Sequence, residues 1–429
     1  MTQMEEAKRG VITEEMKKIA KIEKIDPEKL RRSVAKGHTV IFRNVNHDWV
    51  VPVAVGQGVR VKVNANIGTS RDIVNVEEEI EKAKIAVKYG ADTIMDLSTG
   101  GDLDFIRRKI MKAVNVPVGT VPIYQAAEEM LARGKAIIEM TEDDMWKAVE
   151  KHFKDGVDFV TIHAGVTKEV VEKLKRVNRV VGMVSRGGTF LAAWILHWGE
   201  ENPFYKNYEY LLELAKEYDV VLSLGDGLRP GGLPDAGDEL QIAELYTIGR
   251  LVKRAREFGV QTMVEGPGHV PIDQIPTHIR LMKIASDNAP VYVLGPIVTD
   301  IFPGYDHISA AIGGAIAALN GADFLCYVTP AEHLGLPTIE HVKEGVIATK
   351  IAAHAVNLTR FEEDFKIDYQ MSLARGKLNW KEQFKIAFDK EKFIEIRKER
   401  PTKSEACSMC GDLCAIKIVR EMLGHKARS

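Results

Sequence analysis

Short apolar segments alternate with amphipathic helical segments through most of this 429-residue chain, and this alternation constrains the fold more than any other feature. Continuous apolar strands separated by helices favour parallel pairing with right-handed crossovers. Eight such units predict an α/β fold of the (β/α)8 barrel type, and a doubly wound sheet is the competing arrangement. Nine segments qualify as strands, so we expect one to lie outside the barrel: 61–66, 93–97, 116–121, 158–163, 181–185, 220–225, 261–265, 291–294 and 323–328.

The pattern divides the chain into four sections. The helical section after the barrel is highly charged and ends at Pro401, beyond which the sequence is rich in cysteine. The predicted domains are a short N-terminal region at 1–60, a barrel catalytic domain at 61–337, a helical extension at 338–400 and a cysteine-bearing tail at 401–429.

Composition excludes several classes of partner. The 59 basic and 61 acidic residues give a net charge of -2, so we expect neither a nucleic-acid partner nor an acidic lipid surface. The first nine residues are too charged for a signal peptide, and the most apolar stretch, 310–319, is too short to span a bilayer. The sequence therefore predicts a cytoplasmic enzyme without a membrane partner.

Polar residues follow nearly every predicted strand at the point where it ends. One polar strand end is usually a helix cap, but the carboxyl ends of all strands in a (β/α)8 barrel meet at one mouth, so a full set indicates a ligand site. The set comprises Asn64, Asn66, Asp96, Tyr124, His163, Ser185, Arg186, Gly187, Asp226, Arg229, Glu265, His269, Tyr292, Glu332 and His333.

Two of these segments carry an arginine beside glycine. Ser185-Arg-Gly-Gly188 is suited to hold a phosphate through backbone N–H groups and the guanidinium, and we favour this over a simple tight turn. For Asp226-Gly-Leu-Arg229, a ligand contact and an internal ion pair are equally supported.

Two histidines suggest a metal site at the same mouth. His269 lies in a turn rich in glycine and proline, and His333 follows the last predicted strand. Two imidazoles with water or substrate would form an open site of the catalytic type. Spacing alone does not favour this pair over His163 or His307.

Three of the four cysteines, Cys407, Cys410 and Cys414, fall within eight residues of the tail. Iron-sulfur clusters usually have four cysteine ligands, so three leave one iron open to another ligand such as S-adenosylmethionine. With His425 the same thiols would make a Cys3His zinc site, and free or redox thiols are a third reading. The tail has an odd number of cysteines and no secretory segment precedes it, and both facts disfavour a disulfide.

Eight short motifs in chain order resemble the phosphomethylpyrimidine synthases, the ThiC family of thiamine biosynthesis. With the terminal cysteines they cover nearly the whole chain. The motifs are Asn64-Ala-Asn-Ile-Gly-Thr-Ser70, Met95-Asp-Leu-Ser-Thr-Gly-Gly-Asp102, Gly119-Thr-Val-Pro-Ile-Tyr124, Ser185-Arg-Gly-Gly188, Gly225-Asp-Gly-Leu-Arg-Pro230, Glu265-Gly-Pro-Gly-His-Val-Pro271, Gly304-Tyr-Asp-His307 and Cys326-Tyr-Val-Thr-Pro330.

The resemblance implies a radical S-adenosylmethionine lyase that converts 5-aminoimidazole ribotide to 4-amino-5-hydroxymethyl-2-methylpyrimidine phosphate, with release of CO and formate. It implies a 4Fe-4S cluster on Cys407, Cys410 and Cys414, and zinc or another divalent metal on His269 and His333. Glu265 is the candidate for proton transfer. The implied substrate contacts are Asn66, Met95, Tyr124, His163, Ser185, Arg186, Gly187, Asp226, Gly227, Leu228, Arg229, Glu265 and Tyr292.

The resemblance also implies an external electron donor and a homodimer in which each C-terminal tail serves the neighbouring subunit. Gly411-Asp-Leu413 places three residues before the last cysteine, as in short family members, where longer ones have four. A similar branch of the family makes 5-hydroxybenzimidazole from the same ribotide, and this is the alternative function. A non-radical lyase with a zinc tail and an inactive ribotide-binding protein are two further hypotheses.

Overall fold

The computed structural model describes residues 1–423, which fall into two compact units, Met1–Val356 and a second that begins at Asn357. The strands are β1 Thr39–Phe42, β2 Val53–Gly56, β3 Lys62–Ile67, β4 Thr93–Asp96, β5 Val118–Thr120, β6 Phe159–Ile162, β7 Val221–Leu224, β8 Thr262–Gly266, β9 Val291–Leu294 and β10 Phe324–Cys326.

The α-helices within residues 1–423 connect and follow these strands. They are α1 Gln3–Lys8, α2 Glu14–Glu23, α3 Pro27–Ala35, α4 Val76–Lys88, α5 Leu103–Ala113, α6 Pro122–Ala132, α7 Glu142–Asp155, α8 Lys168–Leu174, α9 Arg186–Trp198, α10 Pro203–Lys206, α11 Tyr208–Tyr218, α12 Glu239–Phe258, α13 Ile275–Ala285, α14 Asp306–Leu319, α15 Ile339–Arg360, α16 Glu362–Gly376, α17 Trp380–Ile386, α18 Lys390–Glu399 and α19 Ala415–Met422. None of them combines the length and apolarity that crossing a membrane requires.

Strands β3 to β10 close into a parallel barrel, which confirms the (β/α)8 prediction against the doubly wound sheet. The ring runs in chain order and is closed by β10, which pairs with both β9 and β3. The register sets Asn66 beside Met95, Glu265 beside Tyr292 and Cys326 beside Asn64. Closure therefore brings residues from distant parts of the chain together at the carboxyl end of the barrel.

Of the nine predicted strands, the prediction for 181–185 was wrong, because this segment is a loop that leads into α9. The first N–H group of the segment is not available for a ladder: Val181 donates to the Asp235 carboxylate at 3.0 Å, and the preceding Val180 N–H donates to it at 2.8 Å. Gly182 has a φ of +76°, which no strand residue adopts. The valines that gave the segment its strand pattern are exposed to solvent.

The N-terminal hairpin of β1 and β2 covers the amino end of the barrel. Phe42 is fully buried and stacks on Phe159 of β6 at 4.6 Å between ring centroids, with Phe324 of β10 at 5.6 Å. The Gln261 side chain bonds both the N–H and the C=O of Ile41, at 2.8 and 3.2 Å. Hydrogen bonds and aromatic packing together fix the hairpin to the strand starts.

The second unit has a small core of its own, in which Leu378, Ala406 and Cys414 are buried against Trp380. The Trp380 indole N–H donates to the Glu405 carbonyl at 2.8 Å. The cysteine segment is thus packed against the end of α16 and the start of α17 within this unit. The predicted boundaries at 60, 337 and 400 stay predictions.

Replacing Phe42 by alanine would remove the aromatic contacts that fill the amino end of the barrel. We expect Phe42→Ala to lower the free energy of unfolding by about 3–5 kcal/mol, because a buried ring is lost and the surrounding strands relax only in part. Equilibrium denaturation measures this loss, with Phe105→Ala on the exposed face of α5 as the control, expected to cost about 0.5 kcal/mol or less. Equal losses in the two variants would contradict this role for Phe42.

Candidate active site

The candidate site residues of the barrel lie in its strands or in the segments that follow them. Closure of the barrel gathers these positions at one mouth, as the sequence predicts. Asn66, Met95, Glu265 and Tyr292 lie in β3, β4, β8 and β9, whereas Tyr124, His163, Ser185 to Gly187, Asp226 to Arg229, His269 and His333 lie in later segments. Cys407, Cys410 and Cys414 belong to the second unit.

A buried polar cluster joins β3, β9 and β10. The Asn64 amide donates to the Tyr292 hydroxyl at 2.8 Å, and the Asn66 amide donates to the Cys326 sulfur at 3.1 Å. The Tyr292 hydroxyl also lies 4.0 Å from the Met95 sulfur. Burial raises the pKa of Cys326 to about 12, so its thiol stays protonated. Cys326 therefore contacts two predicted substrate ligands, Asn66 and Tyr292, within this cluster.

Glu265 is half-buried at the end of β8, and two hydroxyl groups hold its carboxylate. One oxygen accepts from Thr161 at 2.5 Å and from Ser223 at 2.9 Å, residues of the two preceding strands. Burial raises the pKa of Glu265, while these hydroxyls and the charge of Arg229 act in the opposite direction. A fixed carboxyl group with a raised pKa is suited to take or give a proton during a reaction.

Two glycine-bearing segments meet beside His163. Ser185 caps α9 by accepting from the Gly188 N–H at 3.2 Å, and its hydroxyl lies 3.0 Å from His163 Nε2. A Cβ on Gly188 would lie 2.5 Å from the Gly227 Cα, so this approach requires glycine. Burial lowers the pKa of His163 to about 3, which keeps the ring neutral. Its buried Nδ1 has no hydrogen-bond partner among residues 1–423.

Two arginines add positive charge at this place. The Arg186 guanidinium, at the start of α9, lies over the Tyr124 ring at 5.0 Å, and Arg229 bonds the Asp226 carboxylate at 3.1 Å. Burial raises the pKa of Asp226 to about 8, and Arg229 only partly offsets this shift. Helix-terminal N–H groups with two guanidiniums form a setting that favours an anionic ligand. The sequence offered two readings of the segment 226–229, an internal contact between Asp226 and Arg229 or a ligand site. The structure is compatible with both at once.

The structure brings His269 and His333 together, with ring centroids 5.4 Å apart. The loop after β8 runs beside the loop after β9, where His269 forms a parallel bridge with Ile297. His163 faces Ser185 instead, so the geometry favours the first pair over one that includes His163.

Each ring of the pair has a carboxylate on its Nδ1 side. His269 Nδ1 lies 2.8 Å from Asp300, and His333 Nδ1 lies 3.0 Å from Asp306, at the start of α14. This arrangement fixes the tautomer in which Nδ1 carries the proton, and it leaves Nε2 of both rings free to bind a metal. Across residues 1–423 no three His, Cys, Asp or Glu side chains gather as a ligand set, so the two imidazoles match an open site with exogenous ligands.

The cysteine segment forms a tight turn. The N–H groups of Gly411 and Leu413 donate to the carbonyls of Cys407 and Cys410, both at 3.0 Å, and Gly411 takes a φ of +54°. Cys414 immediately precedes α19 and is its N-cap residue. The three free thiols fit an iron-sulfur cluster by donor type and by their spacing in the sequence, although their side chains do not converge as a ligand set in this structure. His425, the fourth ligand in the zinc alternative, lies outside the described residues.

Sequence reasoning did not identify the side chains that orient the candidate ligands. Asp300, Thr161 and Ser223 act through contacts between loops or strands that are distant in the chain, and no local pattern marks them. Asp306 lies within the motif Gly304-Tyr-Asp-His307, so its membership of this motif could have marked it as a candidate.

Comparison with known proteins gives a consistent result. Residues 2–421 match the radical SAM ThiC family. The chain is 85% identical over 423 residues to the phosphomethylpyrimidine synthase of Thermococcus gammatolerans, with 99% of each chain covered. It is 83% identical to that of Pyrococcus abyssi over 100% of both chains, and 60% identical to that of Methanocaldococcus jannaschii over 98% of this chain and 99% of the relative.

Proposed function

Because the chain belongs to the radical SAM ThiC family, we infer that it is a radical S-adenosylmethionine enzyme that makes phosphomethylpyrimidine in thiamine biosynthesis. The single observation that carries this conclusion is family membership across residues 2–421. The family brings S-adenosylmethionine and a 4Fe-4S cluster as cofactors. We place the enzyme in the cytoplasm, where thiols are kept reduced.

The proposed reaction converts 5-aminoimidazole ribotide to 4-amino-5-hydroxymethyl-2-methylpyrimidine phosphate, with release of CO and formate. Relatives from 53% to 85% identity over nearly the full length carry the name phosphomethylpyrimidine synthase. This disfavours the 5-hydroxybenzimidazole alternative, and family membership disfavours the non-radical lyase and the inactive binding protein.

The ribotide phosphate is proposed to bind where α9 begins. Ser185 to Gly187 supply N–H groups at a helix N-terminus, and the Arg186 and Arg229 guanidiniums supply charge. Among residues 1–423, the buried His163 Nδ1 and Asp226 Oδ2 have no hydrogen-bond partner at this place, and polar groups of a ligand would satisfy them. Gly227 and Leu228 would contact the ligand through the backbone of the adjacent turn.

The remaining mouth residues are proposed to hold the imidazole and ribose. Asn66 and Tyr292 are fixed by the cluster around Cys326 and offer an amide and a hydroxyl, while Met95 offers a soft packing surface for a flat ring. Glu265 is proposed to transfer protons during the rearrangement, since two hydroxyls fix its carboxyl group and burial raises its pKa. Tyr124 and Asp226 complete the set.

Cys407, Cys410 and Cys414 are proposed to hold the 4Fe-4S cluster. When bound, the cluster would supply an electron from an external donor, and this electron would cleave S-adenosylmethionine to methionine and a 5'-deoxyadenosyl radical. Met409 and Leu413, between these cysteines, are 89% and 82% exposed, which is unusual for apolar side chains in a tight turn. We propose that this surface docks over the barrel mouth of the neighbouring subunit in a homodimer.

A reconstitution assay tests the proposed reaction. We expect the anaerobically reconstituted protein, given ribotide, S-adenosylmethionine and dithionite, to yield the pyrimidine phosphate and 5'-deoxyadenosine by mass spectrometry. The variant with Cys407, Cys410 and Cys414 replaced by alanine is the control and should yield neither. Hydroxybenzimidazole as the product would favour the alternative branch, and an absence of both products would overturn both.

His269 and His333 are proposed to bind zinc or another divalent metal. We expect Asp300→Asn and Asp306→Asn each to weaken zinc binding by about 10–100-fold, because an amide no longer fixes the imidazole tautomer. Competition with a chromogenic chelator measures this on the purified protein without activity. Asp273→Asn, at an exposed position near the site, is the matched control, and affinities equal to it in both variants would contradict the assignment.

Subunit mixing tests the exchanged tail. A hybrid dimer of Glu265→Gln and Cys407→Ala subunits has one intact barrel and one intact tail, on different chains. If tails are exchanged, a statistical mixture of two inactive variants should recover about a quarter of wild-type turnover, since half of the dimers are hybrids with one complete site. An inactive mixture with confirmed hybrids, or a monomer with full turnover, would rule the exchange out.

A further inference from the structure

A buried carboxylate bonds the backbone of the turn from Asp226 to Arg229. This side chain has no part in the function proposed above. Glu244, on the inward face of α12, is 2% exposed. Its two oxygens accept from the N–H groups of Gly227 and Leu228, each at 2.8 Å. One side chain thus fixes two successive peptide groups of the turn.

A buried guanidinium holds the carbonyl side of the same turn. Arg179, in the loop before α9, donates to the carbonyls of Leu228 at 2.5 Å and Arg229 at 3.3 Å. Arg179 is held in turn by Asp238, with bonds of 2.6 and 2.8 Å. Asp238 is the N-cap of α12, the helix that carries Glu244.

Buried charges in this number are costly unless they are paired with polar groups. Here Glu244 and Arg179 both bond the backbone of one four-residue turn, although burial raises the pKa of Glu244 to about 8. The turn is also closely packed, because a Cβ added to Gly227 would lie 2.2 Å from a Val166 methyl carbon. The backbone that carries Arg229 is therefore fixed on both sides.

We propose that Glu244 and Arg179 are positioning residues for the anionic end of the substrate: they fix the turn so that the Arg229 guanidinium meets the ribotide phosphate. This inference rests on the proposed function. Neither residue touches the ligand in this scheme, because both act through the turn.

The variant Glu244→Gln tests the proposal with little change in volume. The amide has one acceptor oxygen, so one of the two N–H groups loses its partner. We expect calorimetry to show about a 10-fold rise in the Kd for 5-aminoimidazole ribotide. The KM should rise in proportion while kcat changes less than about twofold, since ground-state and transition-state binding are lost together. Arg179→Lys, which loses the planar fork, should behave in the same way.

A substrate without phosphate separates positioning from a general structural role. For 5-aminoimidazole riboside, Glu244→Gln and wild type should bind with equal Kd, because the displaced turn no longer has a phosphate to meet. Glu239→Gln, an exposed glutamate on the same helix, is the matched control and should leave the ribotide Kd unchanged.

Two results would overturn the inference. One is a wild-type ribotide Kd in Glu244→Gln, whatever its unfolding temperature. The other is an equal loss for ribotide and riboside, which would make Glu244 a residue of general folding. Failure of the proposed function itself is distinct, because then the wild-type protein would neither bind the ribotide nor form the pyrimidine phosphate.

Discussion

Closure of eight parallel strands into a ring brings the carboxyl end of every strand to one rim, and the rest of the site depends on this constraint. The register across β3, β4, β9 and β10 sets Asn66, Met95, Tyr292 and Cys326 side by side, although they are up to 260 residues apart in the chain. No local contact could hold them so closely. The hydrogen-bonded ladder does so without any contribution from a ligand.

The mouth contains many polar groups out of water, and each of the main ones is held by a partner from another element. Glu265 depends on hydroxyls from β6 and β7, His163 on the cap of α9, and His269 on a carboxylate from the loop after β9. Such networks fix side-chain geometry before a substrate arrives, which lowers the cost of ordering during binding. Preorganisation of this kind suits an enzyme whose cofactor supplies the difficult chemistry.

The sequence predicts the barrel well because strand and helix patterns are local. Eight of the nine expected strands are found within two residues of their predicted ends. The exception, 181–185, shows the limit: its valines match a strand, but Asp235, 54 residues further along the chain, accepts the Val181 N–H instead. The candidate ligands were readable as polar strand ends, whereas Asp300 and Glu244 were not, since their role appears only when distant loops or helices lie side by side.

The hairpin at the amino end has a consequence for the order of events in catalysis. Phe42 and its neighbours fill that end of the ring, so molecules reach the mouth and leave it by one route. A tail that docks over the mouth would close this route. The substrate would then have to load before docking, and the products would have to wait for undocking. Such a cover would keep reactive fragments confined until the chemistry is complete, and its departure would be a step of every turnover.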